Sequence, residues 1–166
     1  MPPKRGKKSG LESHRASAGD TYEGEYSKNN KREGHGTCRF ADGTIYEGTW
    51  KGGFMDGMGI YRMADGDVYE GCWKHGAKEG PGTYYYASGR ADVCAYTAGS
   101  ELGEGVRWSE DRQLAWRLQK GDLVEEISLE EAAQIAKQVG SMPVPPIPED
   151  RLKVTYSNPE CSPEHA

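Results

Sequence analysis

From Tyr46 onward rings and glycines fall on alternate positions. Tyr46, Gly48 and Trp50 share one parity, and Glu47, Thr49 and Lys51 take the other. Period two of this kind marks a β-strand whose two faces differ. A second run follows with Gly57, Gly59, Tyr61 and Met63 on one face, and Asp65-Gly66 then supplies a strong hairpin turn signal. Six glycines between Tyr46 and Asp67 should weaken such strands unless the missing side chains are put to use. We read each ring-side glycine as a shallow floor on which a neighbouring ring lies, burying flat aromatic surface without a second sheet.

The same pattern recurs along the chain. Tyr22-Glu23-Gly24-Glu25-Tyr26 is followed by Gly34-His35-Gly36 and Asp42-Gly43; Tyr69-Glu70-Gly71-Cys72-Trp73 is followed by Gly80-Pro81-Gly82 and Ser88-Gly89. The period is 23 residues from Tyr46 to Tyr69 and 24 from Tyr22 to Tyr46, with the extra residue in the polar stretch Ser27 to Glu33, where a loop tolerates insertion. A fourth unit keeps the register but not the motif. Asp92 stands at the tyrosine position and Cys94 at the glycine position, while Tyr96 and Gly103-Glu104-Gly105 still fit, as is usual for a terminal repeat.

YEGxW, then GxG, then a DG turn resembles the MORN repeat (membrane occupation and recognition nexus), over Thr21 to Trp108. The resemblance implies an elongated single-layer sheet of consecutive antiparallel hairpins, each leaning on its neighbours. The register places Tyr22, Tyr26, Tyr46, Trp50, Tyr69, Trp73 and Tyr96 on one side of that sheet.

After Gly105 the glycine rhythm stops. Gln113 to Leu118 and Leu123 to Ile127 alternate around the turn Lys120-Gly121-Asp122, predicting a short hairpin. Ser128-Leu129-Glu130-Glu131 is a capping box, in which the serine oxygen and the Glu131 carboxylate satisfy each other's backbone donors at a helix start. The helix it opens has an apolar stripe of Leu129, Ala132, Ala133, Ala136 and Val139, and Gly140 stops it. Such a stripe must cover something. It is expected to cap the C-terminal end of its own sheet, the alternative being a partner. Beyond it, Pro143 to Pro148 reads as a polyproline-like tether, with a PxxP motif for an SH3-type partner as the alternative, and then an acidic tail. The expected fold is therefore mainly β, a single-layer antiparallel sheet of hairpins with a C-terminal hairpin and one capping helix. Its regions are a flexible basic arm (1–20), the repeats (21–108), hairpin plus helix (109–140) and a Pro-rich extended tail (141–166).

Composition sharpens this picture. Of 23 glycines, 18 lie within the repeats and so are structural rather than linker glycines. Four cysteines show no CxxC and no paired spacing, so free thiols in a reducing compartment are expected rather than a metal site or disulfides. No apolar run approaches the ~18 residues of a membrane span, no apolar segment follows the basic start, and Met1-Pro2 lacks the glycine for myristoylation. A soluble intracellular protein is expected. The net charge of −5 divides into +3 over residues 1–20 and −8 over the rest.

No catalytic constellation emerges. His35 and Cys38 are three apart, which in a strand puts them on opposite faces. His75 is expected in a loop beside Lys74. Glu23, Glu47 and Glu70 recur once per unit, but equivalent strands lie roughly 10 Å apart, too far to share one cation; an acidic solvated face balanced by Lys51 and Lys74 is expected instead. The glycine pairs lack the GxxxxGK[ST] context of a phosphate loop. No cofactor, metal or catalytic residue is expected.

By resemblance, the repeats occur in radial spoke head components of motile cilia, junctional membrane proteins, protist cytoskeletal scaffolds, and plant lipid kinases or methyltransferases that carry a separate catalytic domain. The 58 residues after Trp108 are too few for such a domain, so an enzyme is not expected. The resemblance implies a scaffold for other proteins in a cytoskeletal assembly, with the ciliary or flagellar axoneme as the favoured setting and axonemal proteins or tubulin as partners. Anionic phospholipid is the alternative. Against it, residues 22–106 hold 9 Lys and Arg but 13 Asp and Glu. A nucleic-acid partner is not expected at a sequence pI near 5.4. The candidate partner-binding residues are Lys4, Arg5, Lys7 and Lys8 of the arm, Tyr46, Trp50, Tyr69 and Trp73 of the repeats, and Pro145 and Pro146 of the tail.

Overall fold

The computed structural model describes residues 19–140 and Cys161. Ten strands form one antiparallel sheet in which each pairs with the next in sequence: β1 (Thr21–Tyr26), β2 (Arg32–Arg39), β3 (Ile45–Lys51), β4 (Phe54–Arg62), β5 (Val68–Lys74), β6 (Ala77–Tyr85), β7 (Ala91–Thr97), β8 (Ser100–Trp108), β9 (Ala115–Gln119) and β10 (Asp122–Ile127). One helix, α1 (Leu129–Val139), follows. The predicted C-terminal hairpin is β9–β10. It does not stand apart, because β9 pairs with β8 from Trp108↔Ala115 to Glu104↔Gln119 and so prolongs the repeat sheet.

Two kinds of turn produce the 23-residue rhythm. Within later units, two residues with positive φ join the strands: Gly52-Gly53 (59° and 93°), His75-Gly76 (50° and 84°), Ala98-Gly99 (46° and 84°) and Lys120-Gly121 (50° and 80°). This is the type I′ geometry that matches the strand twist. Between units the chain turns over three residues. Phe40 and Thr44 close the first such turn, with Gly43 at φ 90°. In the first unit, Ser27 to Lys31 form a longer loop with Asn30 at φ 56°, so the extra residue of the 24-residue spacing lies where the sequence places it.

The expected ring side exists. Tyr46, Trp50, Tyr61, Tyr69, Trp73, Tyr84 and Tyr96 cluster on one face with Cys38, and each of these rings is 6% exposed or less. The opposite face, hereafter the back, carries a second cluster of Val93, Val106, Trp108 and Ala115 against Ala132, Ile135 and Ala136 of the helix. The helix therefore lies over the back of β7 to β9 and leaves the open edge uncovered.

Local details differ from the sequence reading. Ser128 caps α1 by accepting from the Glu131 amide at 3.2 Å, and Gly140 closes the helix at φ 86°. The Glu131 carboxylate, however, bonds Arg117 of β9. That ion pair to a sheet residue replaces the reciprocal half of the capping box. The buried stripe is Ala132, Ile135 and Ala136, whereas Leu129 is 41% exposed and Ala133 also faces out. Ile135 was absent from the predicted stripe because the spacing was counted from Leu129, one step round the helix from the face that docks.

The cysteines divide. Cys38 and Cys94 are thiols, as expected, and are buried, but Cys72 and Cys161 form a disulfide with Cα atoms 5.9 Å apart. This corrects the expectation of four free thiols. Their 89-residue separation gives no spacing signal. Without reductant, alkylation of the native protein is expected to label no cysteine. A dithiol reductant should then expose Cys161 to labelling, with Cys38 and Cys94 still protected until unfolding. Mass spectrometry showing a labelled Cys161 before reduction would refute the pairing.

Candidate functional site

Glycine is required under the rings by distance. A β-carbon built on Gly36 meets the Tyr22 ring at 2.2–2.5 Å, one on Gly59 meets the Tyr46 ring at 2.3–2.4 Å, and one on Gly82 meets the Tyr69 ring at 2.3–2.6 Å. Each tyrosine lies flat across the second glycine of its own unit. Its hydroxyl donates to a carbonyl three residues on: Tyr22 to Glu25 and Tyr46 to Thr49, both at 3.0 Å, and Tyr69 to Cys72 at 3.3 Å. Burial holds the Tyr69 hydroxyl well above its ordinary pKa.

Tryptophan joins one unit to the next. Trp50 sits edge-on to Tyr46 at 5.1 Å and to Tyr22 of the preceding unit at 5.4 Å, and its Nε1 donates to the Gly36 carbonyl at 3.0 Å. Trp73 repeats the contacts with Tyr69 at 5.3 Å and Tyr46 at 5.5 Å, and Tyr96 closes the row on Tyr69 at 5.3 Å. Perpendicular pairs of this kind add about 0.5–1.5 kcal/mol each beyond area burial. Cations cover the row: the Arg32 guanidinium lies 5.1 Å from the Tyr22 ring and 4.9 Å from Trp50, and the Lys78 ammonium 4.7 Å from Tyr69.

The two glycines of each GxG do different work, which period-two counting missed. Gly34, Gly57 and Gly80 have φ of 64°, 94° and 82°, which takes them out of the extended strand geometry. At this level the register slips, since Gly48 pairs with Gly59 but Trp50 pairs with Met55. On the back, the residue after YEG packs against this bulge. Glu25 accepts from the His35 amide at 3.2 Å, and the Thr49 hydroxyl donates to the Met58 carbonyl at 3.1 Å. Cys72 holds the same position in the third unit, so the disulfide attaches at a bulge.

A second set of contacts between units also went unread. Glu33 accepts from the Gly52 amide at 2.9 Å, Asp56 from His75 at 3.4 Å and Glu79 from Ala98 at 2.8 Å. Each carboxylate lies just before its GxG and holds the hairpin tip of the next unit. Acidic residues at 23-residue spacing were the available signal. Of the three recurring glutamates, Glu23 is exposed as expected, whereas Glu70 is not. Glu47 pairs with Arg62 at 3.6 Å, and Glu70 is half-buried, so that burial raises its carboxyl pKa while Arg62 opposes the shift. Arg62 is a cation that both Glu47 and Glu70 meet. Burial also lifts the neighbouring Tyr85 hydroxyl to about 12.

The fourth unit replaces aromatic chemistry with an ion pair. Asp92 pairs across the strands with Arg107 where the second and third units have Tyr46↔Tyr61 and Tyr69↔Tyr84. The carboxylate receives two Arg107 N–H bonds at 2.7 Å and the Tyr86 hydroxyl at 2.8 Å, with the ion pair almost fully buried. The Cys94 sulfur lies 2.7 Å from a β-carbon built on Gly105, occupying the space a ring takes elsewhere.

Of the candidate binding residues, Tyr46, Trp50, Tyr69 and Trp73 are brought together, at 0–4% exposure, in the middle of the ring row. Lys4, Arg5, Lys7, Lys8, Pro145 and Pro146 lie outside the described residues. His35 and Cys38 take opposite faces, His35 opposite Thr49 and Cys38 opposite Tyr46. His75 is a hairpin-tip residue whose ring meets Phe54 edge-on at 6.3 Å. Among the described residues no three His, Cys, Asp or Glu side chains are grouped to hold a metal.

Sequential hairpins, a row of rings on glycine floors and carboxylates passing from unit to unit define a β-hairpin repeat protein with an open-ended sheet. Three segments, residues 22–45, 46–68 and 69–89, match the family model of the MORN repeat, a repeat that suggests a module for protein or membrane-lipid interaction. The β7–β8 hairpin continues the architecture past the last match. No curated protein matches the chain significantly.

Proposed function

We propose that this protein is a non-enzymatic scaffold that holds other proteins in a cytoskeletal assembly, and that the assembly is the axoneme of a motile cilium or flagellum, as a radial spoke or an associated complex. The observation that carries the scaffold reading is the open sheet itself. Its principal rings are packed on one another, while both end strands keep a free edge among the described residues. The axonemal setting rests on the resemblance of the motif to proteins of that structure. The basic arm, net +3 over residues 1–20, suits an acidic partner such as the tubulin surface.

The test compares full-length protein with a form beginning at Thr21, measuring retention on purified axonemes and separately on anionic vesicles. Axonemal retention that falls on removing the arm and weakens with salt, with little vesicle binding by either form, is the expected result. Arm-dependent vesicle binding would replace the scaffold with a membrane-surface module. The excess of carboxylates in the repeats opposes that outcome at about 1 kcal/mol per charge near an anionic leaflet.

A further inference from the structure

The outer edge of β10 carries two exposed apolar side chains side by side. The sheet order ends at β10, residues 122–126 are all exposed, and Leu123 and Val124 are 37% and 54% exposed. Leu129, at the start of α1, adds a third apolar side chain at 41%. An end strand offers one row of backbone donors and acceptors that its own sheet leaves unpaired. The charge on this strand is of one sign. Asp122, Glu125 and Glu126 are three carboxylates in six residues, and Glu130 and Glu131 follow at once. Of the cations beside it, Arg117 is already shared by Glu104, Glu125 and Glu131, and Lys120 is exposed in the β9–β10 turn.

These features select an occupant. Two copies joined edge to edge through β10 bring three carboxylates from each into one seam, and like charges across strands oppose pairing. The chain's own basic arm, PPKRGKKSG, supplies cations but has the Pro and Gly content that strands exclude. The opposite edge, β1, also carries carboxylates, Glu23 and Glu25, but follows directly on residues of net +3. We propose that β10 is a docking edge for an extended segment of a partner protein in which lysine or arginine alternates with β-branched residues, added as an eleventh strand. Backbone bonds to β10 supply the pairing, Leu123 and Val124 supply apolar contact, and the carboxylates select the basic sequence. This rests on the scaffold reading and names one of its surfaces.

The probe is a soluble peptide alternating lysine and valine, with a glutamate-for-lysine version as control. Binding is followed by fluorescence anisotropy, and its site by amide hydrogen exchange. The lysine peptide is expected to slow exchange across residues 122–127 by about tenfold, and to weaken as salt rises from ~0.1 to ~1 M. The glutamate peptide is expected not to bind. Val124→Pro, which removes a donor on this strand, should abolish binding, and Asp122→Lys with Glu126→Lys should reverse the preference between the peptides in a protein whose near-UV spectrum is unchanged. Equal binding of both peptides, protection over β1 or the ring row instead, or self-association through β10 would overturn the inference while leaving the scaffold reading in place. Loss of the scaffold reading itself shows as vesicle binding in the assay described above.

Discussion

Gly59→Ala is expected to lower the stability of the sheet by about 3–5 kcal/mol, the range for emptying a buried aromatic site. The new methyl carbon has three atoms of the Tyr46 ring within 2.4 Å. That ring has nowhere to go, since Trp50 and Trp73 stand edge-on to it at 5.1 and 5.5 Å and its hydroxyl is bonded to Thr49. Relief requires expelling the ring and abandoning the contacts by which the second and third units join. Chemical denaturation measures the loss, and a double-mutant cycle identifies its origin. In a Tyr46→Ala background the same substitution should cost about 1 kcal/mol or less, because the clash has been removed. Equal costs in both backgrounds would mean that ring and glycine do not interact in the way the geometry shows.

A comparable loss, about 3–5 kcal/mol, is expected for Asp92→Ala, which leaves the Arg107 guanidinium buried without its carboxylate. Tyr86 loses its acceptor as well. Restoring the motif gives the sharper test. Asp92→Tyr alone should also be poorly tolerated, because Cys94 fills the space above Gly105 where the ring should lie. Combined with Cys94→Gly and Arg107→Tyr, the same tyrosine rebuilds the cross-strand pair of the preceding units. The triple variant should match or exceed the wild type, in keeping with the replacement of buried ion pairs by packed apolar groups. A triple variant as unstable as Asp92→Ala would show that the fourth unit depends on its ion pair for more than filling space.

The strand faces were legible because rings are large and recur with strict parity: Tyr46, Trp50, Tyr69 and Trp73 announce their side of the sheet without any knowledge of the turns. The bulge at Gly57 was not legible from parity, since a residue with φ 94° reverses the direction a side chain takes. The carboxylates Glu33, Asp56 and Glu79 were visible as a 23-residue series, yet their role needs the neighbouring hairpin tip, which the sequence shows only once the strand register is known. Asp92 was recognised as a lost tyrosine. Its partner Arg107 lies fifteen residues on and is found only through the β7–β8 pairing. The Cys72–Cys161 bond was the least accessible feature, because 89 residues separate the two cysteines and no spacing motif marks them.

That bond also fixes how the molecule responds to being pulled. With every strand paired to its sequence neighbour, tension between the two termini would peel hairpins away in turn. With Cys72 joined to Cys161, the force enters along the chain up to Cys72, crosses between the two sulfurs and leaves through the chain that follows Cys161. The strands from β6 to β10, together with α1, then lie in a closed loop that carries no load, and the first two hairpins and β5 become the extensible part. Reduction returns the whole sheet to the line of force, so the thiol state sets the length of chain that tension can draw out.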